Sequence, residues 1–250
     1  MYPSPRLPPE LEYVIFVLAY QDDHREAKNL VLVARRVFNW LLPHIFRIVK
    51  LSDGQPMPIR FNKSVYKKYG HHARHLMIDS SRLRGYLHLF PNVVDLAFWL
   101  DYNPADLTSL LQLPLLHMST EPSLDLFQIF ARLTHLDLWF TFKPESNEIK
   151  TVLYLPKLTH LCVISLFLNA AVRLFLSRER CPELRVVIIR EPGPGADESE
   201  WVSMEGSPFV DDKRVVMIRC HTVKDWERGA RGEEDMWKFA EDIIKARKPS

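Results

Sequence analysis

Residues 73–98 read ARHLMIDSSRLRGYLHLFPNVVDLAF, and the order apolar-x-x-apolar-x-apolar occurs twice within them, as Ala73/Leu76/Ile78 and as Val93/Leu96/Phe98. The central leucines lie 20 residues apart. The end of each copy alternates between two faces, the pattern of a short strand. A strand that recurs at fixed spacing, with a return path between copies, is the mark of a repeat architecture.

Working outward, the same order recurs at Leu113/Leu116/Met118, Leu133/Leu136/Leu138, Leu158/Leu161/Val163, Leu184/Val187/Ile189 and Lys213/Val216/Ile218. The seven centres are therefore 76, 96, 116, 136, 161, 187 and 216, with intervals of 20, 20, 20, 25, 26 and 29 residues. Lys213 is the one polar residue in the 21 slots, and Phe46/Val49/Leu51 offers a possible eighth unit upstream. Between strands, Leu126, Ile129, Phe130 and Leu133, and again Val172, Phe175 and Leu176, follow the spacing of a helix face. Pro91, Pro114, Pro156 and Pro182 each precede a strand, where proline ends a helix and keeps the incoming chain extended. The expected fold is α/β: a leucine-rich-repeat-like solenoid of short parallel strands and helices, preceded by an N-terminal helical hairpin. An ordinary α/β sheet with similar buried strands is the alternative. The slot that holds asparagine in regular leucine-rich repeats carries Ser81, Asp101, Glu121, Thr141, Leu166 and Pro192, so the array is expected to be irregular.

Three regions are expected: a helical segment over 1–45, the repeats over 46–221 with a flexible loop at 191–208, and a C-terminal capping helix region over 222–250. In the first, Leu7-Pro8-Pro9-Glu10 opens a helix with prolines where a free backbone donor is not missed. Leu11, Val14, Ile15, Leu18 and Ala19 form one apolar stripe, and Leu30, Val33, Ala34, Val37 and Leu41 a second that ends at Pro43. Packed as a hairpin, such a pair closes the open end of a solenoid core. Phe16, Phe38 and Trp40 fall off the stripes and are expected to point outward. EPGPGADESEWVSMEGSP at 191–208 has the composition of a loop. Met236, Phe239, Ala240 and Ile243 mark a final amphipathic helix, expected to be the opposite cap.

The formal charge of +2 argues against a nucleic-acid or anionic-membrane surface, although Arg60, Lys63, Lys67, Lys68 and Arg74 form a local basic stretch. Cys162, Cys181 and Cys220 form no Cys-x-x-Cys pair. Reduced thiols, the lack of a signal-peptide pattern and of a long apolar run imply an intracellular protein, cytoplasmic or nuclear. Phosphate-loop, dinucleotide, zinc-protease and nucleophile-elbow motifs are absent from the sequence, and no catalytic residue, cofactor or metal is expected. His75, His135 and His160 share one repeat slot. Asp95 and Leu115 are expected to separate His75 from the other two, so the row reads as surface positions.

LPPELEYVIFVLA followed by NLVLVARRVFNWLLPHIFRIVKL resembles a short F-box, the segment that docks onto the Skp-family adaptor of SCF ubiquitin ligases. The matching positions are Leu7, Pro8, Leu11, Ile15, Phe16, Val33, Arg35 and Arg36; Val37 stands where an F-box usually has Trp, with Trp40 one turn later. HHARHLMID, FPNVVDLAFWL, LTHLDLW and DWERGARGEEDMWKFAE are similar to segments of a large family of F-box-like proteins in mushroom-forming fungi. The resemblance implies a substrate-receptor role without bond chemistry, with a Skp-family adaptor and a cullin ligase as partners. Adaptor contacts are then expected at Leu7, Pro8, Leu11, Ile15, Phe16, Val33, Arg36, Val37 and Trp40. A target protein of unknown identity is expected on outward strand positions Met77, Ala97, His117, Asp137, Cys162 and Ile188. The alternative function is a repeat scaffold with no ligase role, its N-terminal helices acting only as a cap.

Overall fold

The structure, a computed structural model, describes residues 7–51, 63–79, 86–100, 130–140, 155–164, 169–191, 200–201, 209–219 and 222–247. Its centre is one sheet, with eight strands among the described residues: β1 (Ile48–Leu51), β2 (His75–Ile78), β3 (Asp95–Leu100), β4 (His135–Phe140), β5 (His160–Ile164), β6 (Val186–Arg190), β7 (Glu200–Trp201) and β8 (Val215–Arg219). The spatial order is β1-β2-β3-β4-β5-β6-β8-β7, and every pairing is parallel except the antiparallel β7–β8 edge.

Register follows the apolar template. Val49, Leu76, Leu96, Leu136, Leu161 and Val187 lie side by side across six strands. Together with the apolar residues three before and two after them, they enter one core, as do Ala73, Ile78, Val93, Phe98, Leu133 and Leu138. The possible eighth unit is thus β1. Return segments cover this face: Tyr66 from α4 (Lys63–Tyr69), Leu87, Leu89 and Phe90 from the turn before β3, and Val172 and Phe175 from α5 (Asn169–Leu176). Gly70 lets two such segments meet, since a Cβ there would lie 2.2 Å from the Leu89 carbonyl oxygen.

Two sequence expectations fail at this level. Leu96 pairs directly with Leu136, so the unit centred on Leu116 takes no place between them, and residues 113–118, with His117, lie outside the described residues. The second and third equal intervals are therefore one step of 40 residues, from Leu96 to Leu136. The last unit was also mis-phased: Val187 pairs with Val215, which joins the main core, while Val216 and Ile218 point the other way. A slip of one residue exchanges the faces of a strand. In the stretch expected to be loop, Glu200 and Trp201 form β7.

The largest correction concerns the other side of the sheet. Helices α6 (Thr222–Arg231) and α7 (Met236–Ala246) lie across it as a layer. Cys162, Val186, Ile188, Val216 and Ile218 pack against Met236, Trp237, Ala240 and Ile244, and Met77 and Ala97 pack with Trp226. Met77, Ala97, Asp137, Cys162 and Ile188 are all buried, so they offer no open face to a target. Strand alternation could say only that these side chains leave the main core. An apolar strand face needs a cover, and the chain supplies its own. Residues 222–247 are accordingly part of the same folded body. Asp235 caps α7 by accepting from the Lys238 amide at 2.9 Å, and Arg247 donates to the Val215 carbonyl at 2.7 Å.

Three helices form the N-terminal segment: α1 (Pro9–Asp22), α2 (Ala27–Val33) and α3 (Arg35–Ile45). The second stripe was expected to be one helix, but Ala34 is extended, at φ −163° and ψ 153°, and splits it. Pro43 does not end the helix either, which runs on to Ile45. Val37, Leu41 and Leu42 of α3 are buried, and the Phe38 ring meets Tyr69 edge-on, so α3 is the element that joins this segment to the sheet body. Among the described residues no helix is long and apolar enough to cross a membrane.

Candidate functional site

Two surfaces stand out, an aliphatic face on the N-terminal helices and a cleft beside the strands. On the first, α1 buries none of its residues fully. Its inner side is Glu12, Phe16 and Tyr20, spaced one turn apart and half-buried. The Glu12 carboxylate accepts from Arg36 Nε at 2.9 Å and from Nη2 at 3.1 Å, and the Tyr20 hydroxyl donates to the His44 carbonyl at 3.2 Å. The Tyr13 ring meets Trp40 edge-on at 6.0 Å between centroids. These contacts hold α1 by polar and aromatic groups, which leaves the aliphatic stripe facing out.

That stripe is Leu7, Leu11, Val14, Ile15 and Leu18, each about half exposed, and α2 adds Leu32 (82% exposed) and Val33 (61%). Aliphatic side chains of this size seldom gather on a free surface, and a patch of them usually marks a contact area. The cap reading alone would turn this stripe inward. A helix apolar around most of its circumference suits a further neighbour on the side away from α3.

Of the residues expected to contact an adaptor, Leu7, Pro8, Leu11, Ile15, Val33 and Arg36 are exposed. Phe16 and Trp40 are half-buried within the helical segment, and Val37, 1% exposed, is core and cannot serve as a contact. Val14, Leu18 and Leu32 belong to the exposed face and were missed. No sequence signal marks Leu32, since the break between α2 and α3 at Ala34 is visible only in the structure.

The cleft lies where the strands begin. Because β3 pairs directly with β4, the slot before each central residue forms an unbroken row, His75, Asp95, His135 and His160. The separation expected from Leu115 does not occur. The turn between α6 and α7 and the first half of α7 close the row into a cavity of ≈ 340 Å³, to which Asp235, Trp237 and Glu241 contribute. His135 and His160 stack at 4.3 Å with an interplanar angle of 7°, and the Trp237 ring stands edge-on to both. His75 Nδ1 lies 2.9 Å from Asp95 Oδ2, and His160 Nε2 lies 3.2 Å from Glu241 Oε1.

Two titrations in this cleft oppose each other. Burial, reinforced by the neighbouring His160, lowers the His135 pKa to about 4. Burial, with the nearby Asp95 and Asp225 charges, raises that of Asp235 to about 6. On acidification the unfolded chain protonates His135 from about pH 6.5 downward while the folded protein resists until about 4, so stability is lost across that window. Asp235 acts in reverse: the folded protein takes up its proton near pH 6, before the unfolded chain does, and stability is gained as pH falls toward 4. Relative to the parent, His135→Gln is expected to gain about 2 kcal/mol between pH 7 and pH 5, and Asp235→Asn to lose about 1 kcal/mol. Urea unfolding at the two pH values checks both signs.

Among the described residues, no group of three or more His, Cys, Asp or Glu side chains is arranged to hold a metal ion. Thr134, the hydroxyl residue of the cleft wall, donates its proton to the Val94 carbonyl at 3.1 Å, which makes it a poor nucleophile. Comparison with known proteins gives no match: no family model, no curated protein and no solved structure is similar to the chain. Function has to be argued from these two surfaces.

Proposed function

We propose that the protein is a substrate-receptor subunit of an SCF-type ubiquitin ligase. Its segment 7–45 docks onto a Skp-family adaptor, and the sheet body, read as a degenerate leucine-rich-repeat solenoid, carries a target protein. The observation that carries this reading is the aliphatic face of α1 and α2, seven large apolar side chains between 47% and 82% exposed, in the segment that resembles an F-box. The role is one of proximity: a bound target raises the local concentration of its lysines near the ubiquitin-loaded partner, with no bond made or broken by this chain. Since α6 and α7 cover the outward strand positions, target recognition falls to other surfaces of the body.

Affinity for the adaptor is expected to rest on a few aliphatic anchors near the middle of the face. Leu11→Asp combined with Ile15→Asp places two charges there, and binding is expected to weaken by about a hundredfold or more. Both side chains are about half exposed, so the thermal unfolding midpoint is expected to hold. Co-expression with a Skp-family adaptor, followed by copurification, makes the test. Equal adaptor recovery for parent and variant rejects the ligase role and leaves the scaffold reading. That reading has an observation of its own: α3 buries Val37, Leu41 and Leu42, as a cap would.

A further inference from the structure

We propose that the cleft between His75, Asp95, His135, Asp235, Trp237 and Glu241 is a binding site for an organic cation, an alkylammonium or guanidinium group. The Thr134 hydroxyl oxygen lies 2.9 Å from His135 Nδ1, so that ring nitrogen already has its partner. The other nitrogen, Nε2, has no hydrogen-bond partner among the described residues. The carboxylates of Asp95, Asp235 and Glu241 are acceptors. A group that satisfies this wall must be a donor.

Charge points the same way. Asp95 is 7% exposed, and while its Oδ2 meets His75, its Oδ1 is buried without a hydrogen-bond partner. The Asp235 carboxylate is crowded by the charges of Asp95 and Asp225. It is also seated on Gly229, where a Cβ would come within 1.9 Å of Oδ2. A buried acid left half-satisfied beside a second acid costs free energy unless a cation offsets it. The cations near the cleft are committed elsewhere: Lys238 Nζ lies 2.7 and 3.0 Å from the two Asp242 oxygens, and Arg228 is paired with Asp225. Trp237 adds an aromatic surface, and stacked neutral imidazoles line the wall without repelling positive charge. A volume of ≈ 340 Å³ is at the small end for ligand sites and suits one side chain or a short polyamine. The cleft shares no residue with the aliphatic face of α1 and α2, so this inference stands or falls independently of adaptor docking.

The test is an NMR titration of the full chain with Nα-acetyl-arginine amide, its neutral isostere Nα-acetyl-citrulline amide, and spermidine. The arginine probe is expected to shift the Trp237 indole and His135 ring signals saturably, and to bind at least about tenfold tighter than citrulline. If the arginine probe binds better than spermidine, the source is a basic side chain of a bound protein. The reverse order names a free polyamine. Glu241→Gln, on the partly exposed face of α7, is expected to weaken the preferred cation about threefold or more with the fold retained. Asp95→Asn, if it folds, is expected to weaken it further. Equal binding of citrulline, shifts confined to other parts of the protein, no change in Glu241→Gln, or no saturation by about 50 mM overturns the assignment.

Discussion

Asp137→Leu will lower the free energy of unfolding by about 3–5 kcal/mol, because it breaks a buried ion pair by removing one member. Asp137 is wholly buried and Arg190 is 2% exposed; Arg190 Nη2 lies 3.0 Å from Asp137 Oδ2 and 3.2 Å from the Met236 sulfur. The pair is set up by strand alternation. Asp137 follows the central residue of β4 by one place and Arg190 follows that of β6 by three, so both project toward α7, with β5 between them. Desolvating two charges consumes most of what their attraction returns, so the pair adds little net stability while the loss of one member is severe. Asp137→Leu with Arg190→Met should therefore recover most of the loss, a coupling that a double-mutant cycle in urea measures directly. A single-variant effect below about 1 kcal/mol means that water reaches the pair and the helical layer is looser than described.

What the sequence made legible was the inner face of the sheet. Leu76, Leu96, Leu136, Leu161 and Val187 were in phase because one residue's slip would have placed polar side chains in the core. At the last strand both phases are apolar, since Val215 and Val216 are adjacent, and the periodicity lost its grip there. The Leu116 unit shows the converse weakness: leucine-rich sequence at the right interval need not occupy the sheet. For the outward face, Met77, Ala97, Cys162 and Ile188 were already apolar, a hint that something covers them, yet covering by helices far along the chain has no local signature. The candidate sites divide the same way. The α1 stripe was readable, but its direction was not, because α1 is apolar on both sides and only Ala34 decides how α2 sits. The row of histidines was readable too, but its continuity depended on β3 pairing with β4.

Removing residues 222–250 is expected to cost the protein its fold, where the loss of an end cap would fray one strand. Trp226, Met236, Trp237 and Ile244 are each 0–9% exposed in contact with the outward strand face. At about 1.5–3 kcal/mol for each large side chain buried, these four contribute on the order of 6–12 kcal/mol. That equals the entire net stability of an ordinary domain. Their contacts run along the sheet from Met77 on β2 to Ile218 on β8, so truncation bares apolar groups on most strands at once. The shortened chain is expected in the insoluble fraction. A milder variant keeps the test quantitative: Trp226→Ala should destabilise by about 3–5 kcal/mol. Hydrogen exchange should then rise first at the amides of β2 and β3, which carry Met77 and Ala97 beneath that ring. Faster exchange limited to β8 would return the C-terminal helices to the role of a cap, and would reopen the outward strand positions as a surface for a target.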